Sequence, residues 1–176
     1  MAWINKREYT NMRGLPETIS IEELVILIKN TKSPHHKLAF KLGFLCGLRV
    51  SEVVKLKLEH IDLNRGFLFI KDSKWGRDRY VPIPAPLKKD LRKFNSFKKV
   101  GVRALQKMYR KQCLRYLKRD LNFHTLRHSC ATNYLHKGMN VKQVQMLLGH
   151  SSLTTTAIYL HVKPSELKTK IDEIWT

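Results

Sequence analysis

Apolar residues recur at helical spacing along nearly the whole chain and abandon it only once, between Gly66 and Ile83. That single change of period restricts the fold to a mostly helical domain interrupted by one small β element. Ser20 with Glu23 three places on reads as a capping box, opening a helix whose Ile21, Leu24, Val25 and Ile28 form a buried stripe. Ser33-Pro34 starts a second helix, which turns Leu38, Leu42 and Leu45 inward and ends near Cys46-Gly47. Ser51 is expected to cap a short third helix carrying Val53, Val54 and Leu56. Gly66–Ile70 and Tyr80–Ile83 then read as strands joined by a polar loop, with Pro82 and Pro84 implying that the second strand is short or at an edge.

Beyond the strands, Pro86 suits the first turn of a helix to about Phe97, and a long basic helix is expected over Arg103–Leu121 with Leu105, Tyr109, Tyr116 and Leu117 inward. Helices follow over Thr125–His136, closed by Gly138, and over Val141–Leu148, closed by Gly149. A short segment spans Thr154–Tyr159, and a last helix runs over Ser165–Trp175 with Leu167, Ile171, Ile174 and Trp175 on one stripe. The fold class expected is α+β, mostly α with a small β-hairpin or sheet.

Charge narrows the partner. The 176 residues hold 34 Lys and Arg against 14 Asp and Glu, a formal net charge of +20. Seventeen of the basic residues and only three acidic ones fall between Lys71 and Arg119. Such a concentrated excess is an electrostatic footprint for phosphates, so nucleic acid is the expected partner. A hydrophobic content of 43% argues against a disordered chain. No apolar run approaches the roughly 20 residues of a membrane span, and the N-terminus lacks a secretory signal. Cys46, Cys113 and Cys130 are too few and too scattered for a disulfide framework or a zinc site. They read as reduced thiols of a cytoplasmic protein associated with the nucleoid.

Four clusters carry chemistry: Gly47-Leu48-Arg49-Val50-Ser51-Glu52; Lys74 followed by Arg79-Tyr80-Val81-Pro82; His124-Thr125-Leu126-Arg127-His128; and Leu148-Gly149-His150 with Tyr159 nine residues on. Their order and spelling resemble the catalytic domain of the tyrosine recombinase (phage integrase, Xer-like) family: G-L-R-x-S-E, a hairpin lysine before R-x-V-P, H-x-L-R-H, L-G-H and T-T-x-x-Y-x-H. The resemblance extends from about Leu15 to Lys163.

That resemblance implies a reaction and its residues. Tyr159 would attack a DNA phosphodiester, leaving a 3′-phosphotyrosyl link and a free 5′-hydroxyl, with the bond energy kept for rejoining. Arg49 and Arg127 would grip the non-bridging oxygens, as planar donor forks suit phosphate. His150 would donate a further hydrogen bond, His124 would act as general base, and Lys74 would protonate the leaving oxygen. Glu52, one helical turn beyond Arg49, would orient its guanidinium. Arg77, Arg79, Lys107, Arg110 and Lys111 are expected to contact DNA. No cofactor is implied, and no metal, because the arginines supply the charge. His124 and His128 stand at i, i+4, but no third ligand accompanies them at zinc spacing.

The expected organisation is an N-terminal arm (1–14), a catalytic domain (15–163) and a C-terminal helix (164–176) offered for exchange between subunits, with no core-binding domain in this chain. Partners implied are double-stranded DNA and further copies of the chain, as a tetramer on DNA. The stripe on the last helix also suits packing on its own domain. Two other readings stay open: DNA relaxation of the type IB topoisomerase kind, and a non-catalytic DNA-binding protein. The arginine, lysine, histidine and tyrosine set favours the recombinase, because binding alone has no need of it.

Overall fold

The computed structural model describes residues 16–71, 78–97, 100–149 and 164–175. Among these residues, eight α-helices and one three-stranded sheet follow in the order α1 (Ile21–Lys29), α2 (Pro34–Cys46), α3 (Val50–Lys55), β1 (Ile61–Asp62), β2 (Phe67–Ile70), β3 (Arg79–Pro82), α4 (Ala85–Arg92), α5 (Val102–Gln112), α6 (His124–His136), α7 (Val141–Leu148) and α8 (Pro164–Trp175). Helix α2 is the centre of the core. Its Phe40, Leu42, Phe44 and Leu45 are buried, and it packs along α6, where Leu126, Cys130 and Tyr134 are buried in turn. Tyr134 donates to the Leu45 carbonyl at 2.8 Å, pinning the two helices. All three cysteines are free thiols in this interior.

The sheet is antiparallel in the order β1-β2-β3, with Phe69 opposite Tyr80 and Ile70 opposite Arg79. Leu68, Ile70 and Val81 face the core, while Tyr80 is exposed. Strand β3, with its Pro82, lies at the edge as expected, so the missing proline N–H costs no ladder bond. The two-residue β1 adds a strand to the hairpin read from sequence, because so short a segment has no readable period.

Local chemistry accounts for most boundaries. Ser20 and Glu23 form the expected capping box, with Ser20 Oγ accepting from Glu23 N and Glu23 Oε2 accepting from Ser20 N. The buried face of α1 carries Leu24 and Leu27, whereas Val25 is 40% exposed, so the stripe is rotated from the expected one. Helix α3 begins one residue before Ser51. Arg49 is its N-cap, and Glu52 at the third helical position accepts from the Arg49 backbone N–H at 2.8 Å.

Helix α4 stops at Arg92 rather than near Phe97, because Phe94 and Phe97 bury themselves from the following segment, ring on ring at 5.0 Å. The basic helix α5 loosens into a π-helical turn over Cys113–Leu117 and ends at Lys118, whose φ of 55° is left-handed. No glycine or proline marks that end, so the expected helix ran too far.

The last helix α8 lies against β3 and α4 within the same chain, and Leu167 and Ile171 are fully buried there. The Trp175 indole N–H donates to Tyr134 at 3.1 Å, and Lys137 sits 4.0 Å above the Trp175 ring.

Gly47 closes α2 at φ +64°, and a Cβ there would stand 2.2 Å from Leu148 Cδ2. Both the left-handed backbone and the clash oppose any side chain. Gly47→Ala is expected to cost about 2–4 kcal/mol, read as a lowered urea midpoint. A loss below about 1 kcal/mol would mean that this junction yields easily.

Candidate active site

Helix ends build the site. Helix α2 ends at Gly47, and the chain turns through Leu48 to present Arg49 at the start of α3. Helix α6 opens at His124 and carries Arg127 and His128 on its first turns. Helix α7 ends at Leu148 with Gly149 left-handed, φ +66°. Thus three motifs far apart in sequence arrive together.

Arg127 is only 2% exposed. Its guanidinium donates to the carbonyls of Gly47 and Leu148, each at 2.7 Å. Helix ends leave such carbonyls without partners in the helix, and they carry the negative end of the dipole. Arg127 therefore binds the ends of α2 and α7 into one platform. Burial first, then the Arg49 charge, pushes its pKa down to about 10, which leaves it a cation at neutral pH.

Glu52 holds the opposite wall. Its Oε1 accepts from Arg49 Nη1 at 3.0 Å and from Arg79 Nη1 at 2.9 Å. Its Oε2 accepts from the Arg49 backbone N–H at 2.8 Å and from Arg79 Nη2 at 3.0 Å. Burial alone would raise this carboxyl, but the two guanidiniums overcome it and hold it below the usual carboxylate range. Arg49 remains the more open partner, its side chain 34% exposed against 8% for Glu52.

His124 and His128 stack edge to face, ring centroids 4.6 Å apart. Partial burial, then the charges of His128, Arg127 and Arg49, lower the pKa of His124; burial and Arg127 lower that of His128. Both imidazoles are therefore neutral at pH 7. Among the described residues, no group of three or more His, Cys, Asp or Glu side chains is placed to share a metal ion.

Of the residues singled out by sequence, Arg49, Glu52, His124 and Arg127 converge here. Lys74, Arg77, His150 and Tyr159 lie outside the described residues. Lys107, Arg110 and Lys111 are exposed on α5, and Arg110 donates through Nε and Nη2 to the two carboxylate oxygens of Asp120, each at 2.5 Å. Arg79, grouped above with the DNA contacts, is turned inward instead. Its side chain is 10% exposed and its donors are taken up by Glu52 and the Leu147 carbonyl. Strand period supplied the missed signal, since Arg79 and Val81 share the inward face of β3.

The sequence profile of the phage integrase family matches residues 17–102 and 94–166, most of the 176 residues. The chain belongs to the phage integrase family. It is 34% identical over 169 residues to a tyrosine recombinase of Pseudothermotoga lettingae, an alignment covering 88% of this chain and 59% of that protein. The integrase of mycobacterium phage Brujita shares the fold with a TM-score of 0.79 over 93% of this chain and 59% of its own, at 21% identity. XerH site-specific recombinase, solved bound to its difH substrate before cleavage, superposes with a TM-score of 0.67 at 27% identity, over 88% of this chain and 53% of its own. This phage integrase family chain thus spans between half and two thirds of the length of each of these three proteins.

Proposed function

We propose that the chain is the catalytic domain of a site-specific recombinase, which cleaves and rejoins double-stranded DNA through a 3′-phosphotyrosyl intermediate, on DNA as a homotetramer. The observation that carries this reading is the arginine cluster, in which Arg127 is buried and Arg49 faces outward. Arg49 and Arg79 share the one carboxylate of Glu52, and Arg127, bonded only to backbone carbonyls, adds a third guanidinium nearby, beside His124 and His128. A desolvated cation excess is costly unless an anion completes it, and a phosphodiester has the charge and the oxygens to do so.

In this mechanism the Tyr159 hydroxyl attacks phosphorus, forming a phosphotyrosyl bond as the bond to the 5′-oxygen breaks. His124 takes the tyrosine proton and Lys74 returns one to the departing 5′-oxygen. Arg49, Arg127 and His150 hold the phosphate oxygens as charge gathers on them. Lys74, His150 and Tyr159 enter on the spelling of their motifs. Arg77, Lys107, Arg110 and Lys111 extend the contact along the DNA backbone by charge. Helix α8 buries Leu167 and Ile171 against β3 and α4 of its own chain, which supports packing on its own domain over the exchange between subunits.

The lowered pKa of His124 makes the role testable. A base must be unprotonated, so activity is full above its pKa and falls as acid protonates it. Because that pKa lies below 6.5 in the free protein, the acid limb of second-order adduct formation is expected below pH 6.5. The measurement uses subsaturating nicked duplexes, with adduct resolved on denaturing gels. An acid limb above 6.5 would remove His124 from the proton transfer. Tight DNA binding with no adduct on any duplex or four-way junction would overturn the enzymatic reading.

A further inference from the structure

We propose that Arg79 is a positioning residue for DNA cleavage, a single guanidinium that locks the hairpin strand, the Arg49 carboxylate partner and the end of α7 into one register; the inference rests on the cleavage reaction above. Three bonds define it: Nη1 and Nη2 grip Glu52 at 2.9 and 3.0 Å, and Nε donates to the Leu147 carbonyl at 3.3 Å. Every group at the far end of these bonds leads to a residue assigned to the chemistry. Glu52 holds Arg49 by side chain and backbone. Leu147 precedes His150 by three residues, and Arg79 itself follows Lys74 by five.

Arg79 also completes the saturation of Glu52. With its two bonds each carboxylate oxygen accepts twice, so the carboxylate has one orientation and Arg49 is held with it. The stem of Arg79 is equally confined. It passes Gly149 so closely that a Cβ there would lie 2.8 Å from Arg79 Cδ, on a backbone whose φ of +66° already favours glycine. Arg127 clamps the neighbouring carbonyl of Leu148, so two arginines hold successive carbonyls at the end of α7 just before His150. Lysine has the charge of arginine but not its planar fork, and cannot make the paired grip on Glu52 together with the bond to Leu147.

The test compares the full chain with Arg79→Lys and, as the near-isosteric second variant, Glu52→Gln. Single-turnover adduct formation is followed at saturating DNA, using pooled nicked duplexes of random sequence and preformed four-way junctions. DNA affinity and its salt slope are measured separately. Arg79→Lys is expected to lower the adduct rate constant about 10–100-fold, with amplitude, affinity and salt slope near those of the parent. Glu52→Gln is expected to do the same, and the double variant to lose little more than either alone.

A purely structural role would reduce the amplitude, by depleting folded molecules, and leave the rate constant unchanged; that result overturns the proposal. A phosphate contact would instead weaken binding and flatten the salt slope by about one, which also overturns it. If Arg79→Lys fails to fold, an unchanged rate constant in Glu52→Gln is decisive against positioning. Failure of the parent chain to form any adduct would sink the cleavage reaction itself, a result distinct from parent-like cleavage by Arg79→Lys.

Discussion

Arg127→Ala is expected to slow adduct formation about 10³-fold while DNA affinity changes far less. The reason lies in where the side chain is held. Arg127 is buried, fixed by two short bonds to backbone carbonyls and still cationic, so its guanidinium is held in place before DNA arrives. Preorganised donors stabilise charge that develops during reaction more than charge already present in bound DNA, so cleavage suffers more than binding. Alanine also frees the carbonyls of Gly47 and Leu148, so some stability is lost with the charge. Arg127→Lys separates the two effects: it keeps a cation and loses the fork, and is expected to cleave slowly as well. An affinity that collapsed in parallel with cleavage would contradict the transition-state role.

Tyr159→Phe is expected to abolish adduct altogether, since the phenyl ring keeps the shape and has no oxygen to bond phosphorus. Binding should persist, because the charge that attracts DNA is untouched. The same substitution at Tyr80, exposed on the outer face of β3, is expected to leave adduct formation intact.

Much of this arrangement is legible in the sequence, and the unread parts have identifiable causes. The bounds of α2 follow from Ser33-Pro34 and Gly47, and the end of α7 from Gly149, because caps act over a few residues and leave plain signals. The π-helical turn ending at Lys118 leaves none, since the chain there departs from α-helix without glycine or proline. The meeting of Arg49 and Arg127 depends on contacts such as Arg127 with Gly47, 80 residues apart, which no local pattern encodes. Family spelling brought those residues together on paper; the packing of α2 on α6 explains why they meet. The inward turn of Arg79 follows from strand period, which puts it on the face of β3 that carries buried Val81, a placement that basic composition does not encode.

The central claim is a covalent bond between DNA and one particular tyrosine, and its most direct test is to map that bond. The full chain is incubated with nicked duplexes and four-way junctions, the trapped adduct is digested with protease and nuclease, and the nucleotide-bearing peptide is sequenced by mass spectrometry. The predicted result is a 3′-nucleotide on Tyr159 that is lost in Tyr159→Phe. A nucleotide on any other residue, or an adduct that survives Tyr159→Phe, would contradict the account.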